Sequence, residues 1–129
     1  MSAYADSSAL AKLLVLEPES AALTDSLGDS AVLTSEIAGT ELLRVALRTG
    51  LAEALPHAER LLARLALVAL TPALLRAAGV IRPPELRSLD AIHLATALSI
   101  ADQVDRFVCY DRRLAQAAAT AGLVVVAPS

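Results

Sequence analysis

Short apolar runs alternate along this chain with longer stretches whose apolar residues recur every three or four positions. Residues 2–5 are the first run and predict a strand, followed by Asp6-Ser7-Ser8 and a helix over about 9–16. Pro18 opens a second helix that ends near Gly28. Residues 31–34 predict the second strand. The helix that follows covers about 35–49, with Ala38, Leu42, Val45 and Ala46 on its apolar face and Gly50 closing it. Residues 51–64 are mostly helical, with a restart at Pro56. Residues 65–70 predict the third strand, and Thr71-Pro72 start a short helix ending at Gly79. Residues 106–110 and 123–126 predict the last two strands, separated by a helix over 112–121 that Gly122 stops.

The segment 88–99 breaks the usual amphipathic pattern. Pro83 and Pro84 keep the preceding loop out of a helix, and Ser88 is suited to cap the next one. Leu89, Ile92, Ala95 and Ser99 fall on one helical stripe and Ala91, Leu94 and Leu98 on another. A helix apolar on two stripes is expected to be buried on most sides. Its two polar exceptions, Asp90 and His93, lie three residues apart and share a face. Strands alternating with helices predict an α/β fold: one domain over 1–129, three layers α/β/α, with a central, mostly parallel sheet of four to five strands.

Composition narrows the classes. With 56% hydrophobic residues the chain can bury a core, and disorder is not expected. No uncharged apolar run reaches the ~18 residues of a membrane span. The start of the chain lacks a basic segment and meets Asp6 early, so no signal peptide is expected. The lone Cys109 cannot form an internal disulfide, and a reducing cytoplasm is the simplest home. A net charge of −3 does not advertise nucleic-acid binding. Setting four of the 14 acidic residues aside for one metal site leaves ten against 11 basic ones. Lys12 is the only lysine, and the arginines suit bidentate phosphate contacts. The aromatics are only Tyr4, Phe107 and Tyr110, too few for a base-stacking platform.

Four acids carry the candidate chemistry. Asp6 and Asp111 each fall where a predicted strand hands over to a helix, which suits an N-cap. It also places both at the carboxyl edge of a parallel sheet, where ligands bind. Asp90 reads either as a carboxylate favoured by its helix dipole or as a ligand at the mouth of a polar pocket. Glu41 reads either as a surface partner of Arg44 or as a further acid presented to the same edge. Glu36 reads as a solvated first-turn acid. If the four meet, they repel: at an effective dielectric of ~20, two charges about 4 Å apart cost about 4 kcal/mol. A hard divalent cation removes that cost, and oxygen-only ligands favour Mg²⁺ or Mn²⁺ over zinc. Neither Ser7, Ser8 nor Cys109 has the partners of an activated nucleophile, so metal-activated water attacking a phosphate ester is the matching chemistry. No Gly-rich phosphate loop is present, which argues against an NTPase. A signalling receiver domain wants a lysine late in the chain, and a haloacid-dehalogenase-like phosphatase a second acid where Ser8 stands.

Tyr4-Ala5-Asp6-Ser7-Ser8-Ala9-Leu10, then Ser35 and Glu41, then Leu89 to Ala95, then Tyr110-Asp111-Arg112-Arg113-Leu114 occur in the order seen in PIN-domain ribonucleases. The chain resembles the VapC-type toxins of bacterial toxin–antitoxin pairs most. That resemblance spans nearly its whole length, and its most specific piece surrounds Asp90. It implies an Mg²⁺-dependent endoribonuclease, with Mn²⁺ able to substitute. Asp6, Glu41, Asp90 and Asp111 would form the acidic quartet. Asp6 and Asp90 would be the metal ligands, Glu41 and Asp111 would hold waters or a second ion, and His93 would support the site without being a ligand. It further implies a homodimer and a cognate antitoxin. Cys109 and Tyr110 stand where the family more often has a small hydroxyl residue. The competing class is a PIN-fold module that binds protein partners without catalysis.

Overall fold

The computed structural model describes residues 1–129. The strands are β1 (Ser2–Ala5), β2 (Ala31–Ser35), β3 (Ala66–Val68), β4 (Arg106–Val108) and β5 (Val125–Val126). The helices are α1 (Ser7–Leu14), α2 (Ser20–Leu27), α3 (Ile37–Thr49), α4 (Ala54–Ala63), α5 (Pro72–Gly79), α6 (Ser88–Ser99) and α7 (Arg112–Thr120). All strand pairings are parallel, in the order β3-β2-β1-β4-β5. The expected three-layer α/β/α architecture is therefore present, at the upper strand number.

Alternation along β1 separates the two helical layers. Ala3 and Ala5 pack with Leu10, Leu23, Leu42 and Leu61 of α1–α4. Tyr4 faces the other way, with Leu94 of α6, Leu114 of α7 and Phe107 of β4. Tyr4 and Phe107 are register partners, and their rings stack at 5.3 Å with planes 4° apart. Ala78 of α5 packs on Ala91 and Ala95 of α6; such small residues let helices approach closely. No helix is long and apolar enough to cross a membrane.

The strand order also locates a crevice. The chain winds outward from β1 through β2 to β3, then returns to place β4 on β1's other side. The winding reverses between β1 and β4, and in open parallel sheets ligands bind at the carboxyl ends beside such a reversal. Asp6 follows β1 and Asp111 begins just beyond β4.

Several boundaries move for identifiable reasons. Pro18 does not open α2. The helix begins at Ser20, whose hydroxyl accepts from Glu17 N–H and donates to the Lys12 carbonyl. Ser88 does not cap α6: it is already helical, and Arg87 holds the cap position with extended backbone and no capping side chain. β4 ends at Val108: Cys109 N–H still donates to the Val126 carbonyl, and Tyr110 N–H then turns to the site, donating to Ser8 Oγ at 2.9 Å. α6 is buried through Ala91 and His93–Ala97, while Leu89 at its start is 46% exposed.

Candidate active site

Asp6 is the best-ordered acid by its contacts. Its backbone stays in the β1 ladder, Asp6 N–H donating to the Val108 carbonyl. Its side chain caps α1: Oδ1 accepts from Ala9 N–H at 3.1 Å and from Ser8 Oγ at 2.6 Å. Ser8 in turn accepts from Tyr110 N–H, so one hydroxyl ties the end of β1 to the segment leaving β4. Asp6 is 1% exposed, an environment a carboxylate tolerates only with such donors. Asp111 repeats the device on the exposed side, its Oδ1 accepting from Leu114 N–H at 3.0 Å to cap α7.

The N-cap expectation thus holds for both acids, and it does not compete with the pocket expectation. A capping carboxylate uses few of its lone-pair sites. Asp6, Glu41, Asp90 and Asp111 all line one cleft of about 420 Å³, together with Arg44 and Arg48. A larger groove of about 780 Å³, between the 81–87 loop and α7, contains Glu85 as its one acid.

Glu41 does not pair with Arg44. Its Oε1 lies 2.7 Å from Nε2 of His93, which is fully buried on α6. The other ring nitrogen, Nδ1, lies 2.7 Å from the Tyr4 hydroxyl. Tyr4, His93 and Glu41 form a continuous chain from β1, through α6, to α3 in the opposite layer. Burial raises the Tyr4 hydroxyl far above its ordinary value, so it is a neutral anchor. Glu36, one of the solvated acids by expectation, accepts from Leu70 N–H at 3.0 Å and ties α3's start to the end of β3.

Asp90 differs from the rest. It makes no side-chain hydrogen bond and no ion pair with the protein. Burial, then the charges of Asp111 and Asp6, push its carboxyl above the usual range, against the smaller opposing pull of His93 and Arg87. A helix dipole alone would have moved it down. Asp90 does stand in the first turn of α6, where the dipole reading places it, and in the cleft it shares four acids face two arginines.

Cys109, which with Tyr110 departs from the small hydroxyl residue the resemblance led one to expect, sits against Asp6. Its Sγ is 3.3 Å from Asp6 Oδ2 and 3.4 Å from the Asp111 carbonyl. Burial and the Asp6 carboxylate raise the thiol well above its ordinary value, so it stays protonated. It is a donor to Asp6, and a buried protonated thiol is a poor nucleophile.

These donors fit a hard, hydrated cation. No group of three or more His, Cys, Asp or Glu side chains is drawn together as a ready-made metal cage. Mg²⁺, however, usually keeps several waters and takes only one or two protein carboxylates. An oxygen-only cleft with a free Asp90 and excess negative charge meets that requirement.

Residues 3–120 match the PIN domain family. Ribonuclease VapC46 of Mycobacterium tuberculosis is 43% identical over 127 residues, covering 98% of this chain and 97% of its own length. Ribonuclease VapC47 of the same species is 40% identical over 131 residues, covering 97% of this chain and 96% of its own length. Among solved structures, M. tuberculosis VapC20, a sarcin–ricin-loop-cleaving toxin, superposes with a TM-score of 0.70 at 19% identity, covering 98% of this chain and 99% of its own. VapBC2 of Rickettsia felis, solved on a promoter DNA fragment, gives 0.70 at 12% identity with full coverage of both chains. By its sequence and by the fold it adopts, the chain belongs to the PIN-domain family and, within it, to the VapC kind.

Proposed function

We propose that this protein is an Mg²⁺-dependent endoribonuclease, the toxin of a toxin–antitoxin pair, which hydrolyses RNA phosphodiesters with metal-activated water. The observation that carries this is the meeting of Asp6, Glu41, Asp90 and Asp111 at one cleft, from four separate parts of the chain. Relatives at 40–43% identity are named ribonucleases, which supports RNA as the substrate.

Asp6 and Asp90 would hold the ion, which supplies Lewis acidity towards the phosphate and lowers the pKa of water. Asp6 offers a carboxylate fixed by Ser8, Ala9 and Cys109, so little reorganisation accompanies binding. Asp90 offers one with no competing partner in the protein. Glu41, aimed by His93, and Asp111, aimed by the α7 cap, would orient waters at the cleft. A cognate antitoxin and a homodimer belong to the same proposal. Co-purification with the product of a neighbouring small gene, and the mass in solution, test them.

The deciding experiment is to map the ends produced when purified protein acts on total cellular RNA. With Mg²⁺ present, discrete internal cuts are expected; EDTA should abolish them. Equal cutting in EDTA, or none in Mg²⁺ or Mn²⁺, would overturn the proposal, and the second outcome would favour a non-catalytic binding module.

A further inference from the structure

We propose that two groups of arginines flank the acidic cleft as a track for the phosphate backbone of a single-stranded nucleic acid. The strand runs over α3 on one side and over the amino ends of α6 and α7 on the other. The position of the scissile phosphate between them rests on the nuclease proposal; the binding track does not.

The first arm is Arg44 and Arg48, which line the cleft with the four acids. They lie four residues apart on α3 and so share a face. Arg48 sits ~10 Å further along the helix axis than Glu41, at 1.5 Å per residue. The second arm borders an adjoining cleft of about 250 Å³ that shares Asp90 and Asp111 with the first. Its basic residues are Arg87, Arg112 and Arg113; Glu85 is its other acid. The two clefts are thus joined through two of the quartet's members, and each carries its own arginines.

None of the five guanidiniums takes part in an ion pair or a side-chain hydrogen bond, a freedom shared by every arginine except Arg106, which is paired with Asp105; what sets the five apart is that they line the two clefts. The second arm is also placed against local helix energetics. Arg112 and Arg113 open α7, and Arg87 holds the cap position of α6. Helix amino ends carry partial positive charge and disfavour cations. They favour anions, and a phosphate arriving there meets both the guanidiniums and the helix end.

The aromatic residues leave base stacking out. Tyr4 and Phe107 are fully buried. The Tyr110 hydroxyl donates to the Pro128 carbonyl, and its ring lies 4.8 Å beneath Lys12 Nζ. Affinity must therefore come from phosphates and be strongly salt-dependent. Because arms stand on both sides of the acids, the strand passes through the site rather than ending in it, the geometry an internal cut requires.

The test uses fluorescence anisotropy of labelled short RNA and DNA of one sequence, with full-length protein carrying Asp90→Asn so that no strand is cut. Single strands give a log–log salt slope of about −0.7 per phosphate contact, so five contacts give about −3.5. Arg44→Ala with Arg48→Ala, and separately Arg112→Ala with Arg113→Ala, should each weaken RNA and DNA binding roughly tenfold and flatten the slope by about 1.4. Arg60→Ala with Arg76→Ala, on α4 and α5, should change neither. The track is overturned if either arm can be removed without effect, if the control pair weakens binding equally, if only RNA binding responds, or if the parent binds neither strand. A protein that binds as described but whose wild type cuts no RNA would leave the track standing and remove only the nuclease proposal.

Discussion

Asp6, at the end of β1, and Asp90, in the first turn of α6, face the same cleft under opposite conditions. Asp6 is 1% exposed and receives Ala9 N–H, Ser8 Oγ and the Cys109 thiol. Asp90 is half-buried, receives no donor from the protein, and has its carboxyl raised by burial and by Asp111 and Asp6. One carboxylate is satisfied by hydrogen bonds from the fold and doubles as a helix cap. The other has no hydrogen-bond donor in the protein, and His93 and Arg87 offset only part of the burial and like-charge effects. Burial alone is thus a poor guide to electrostatic cost: the deeper acid is the satisfied one.

The largest expected effect should erase the difference between them. Asp6→Asn and Asp90→Asn should each reduce RNA cleavage by more than ~100-fold, as removal of a charge-stabilising group does. Gel-resolved initial rates check this, and a variant retaining wild-type rates would remove that residue from the site. Next comes His93→Gln, which loosens Glu41 without touching the ion's expected ligands. A loss of about 10- to 100-fold is expected, typical of groups that orient first ligands. An unchanged rate would reduce the Tyr4–His93–Glu41 chain to packing.

Stability should then pull the two acids apart. In metal-free protein at neutral pH, Asp6→Ala should cost about 1–3 kcal/mol, from the lost cap and two stranded donors. Asp90→Asn should instead raise the melting temperature. Its carboxyl is raised in the fold, so its charged form opposes folding; its favourable contribution is present below the ordinary value of 3.8 and lost as pH rises through the folded value. The gain from Asp90→Asn should accordingly shrink on acidification towards 3.8. Thermal melts between pH 4 and 8 with EDTA check both signs. The smallest effect is a control far from the cleft. Thr71 caps α5 by accepting from Leu74 N–H, so Thr71→Ala should cost about 1 kcal/mol and leave cleavage unchanged.

The same contrast marks what could be read from residues alone. Asp6 and Asp111 were legible because a cap and a strand end are local features, carried by a few neighbouring residues. The five strands and seven α-helices were likewise visible as apolar runs and helical patterns, with errors at ends such as Pro18 and Ser88; the short 3-10 turn Ala101–Gln103 was not. Glu41's partner was not legible. Local spacing offers Arg44, one turn away, but the fold brings α6 to the same cleft and delivers His93, 52 positions later. The same holds for Cys109 as a donor to Asp6 and for Tyr110 N–H as a donor to Ser8: the pairing of β1 with β4 creates those contacts, and no short-range pattern encodes it.

The sharpest discriminator is a calorimetric titration of Mn²⁺ into metal-free protein, because it reports occupancy without requiring any substrate. Saturable heat should appear with the wild type and vanish in both Asp6→Asn and Asp90→Asn while their folds persist. Absence of heat from the wild type, or undiminished heat from both variants, would show that these carboxylates do not share an ion.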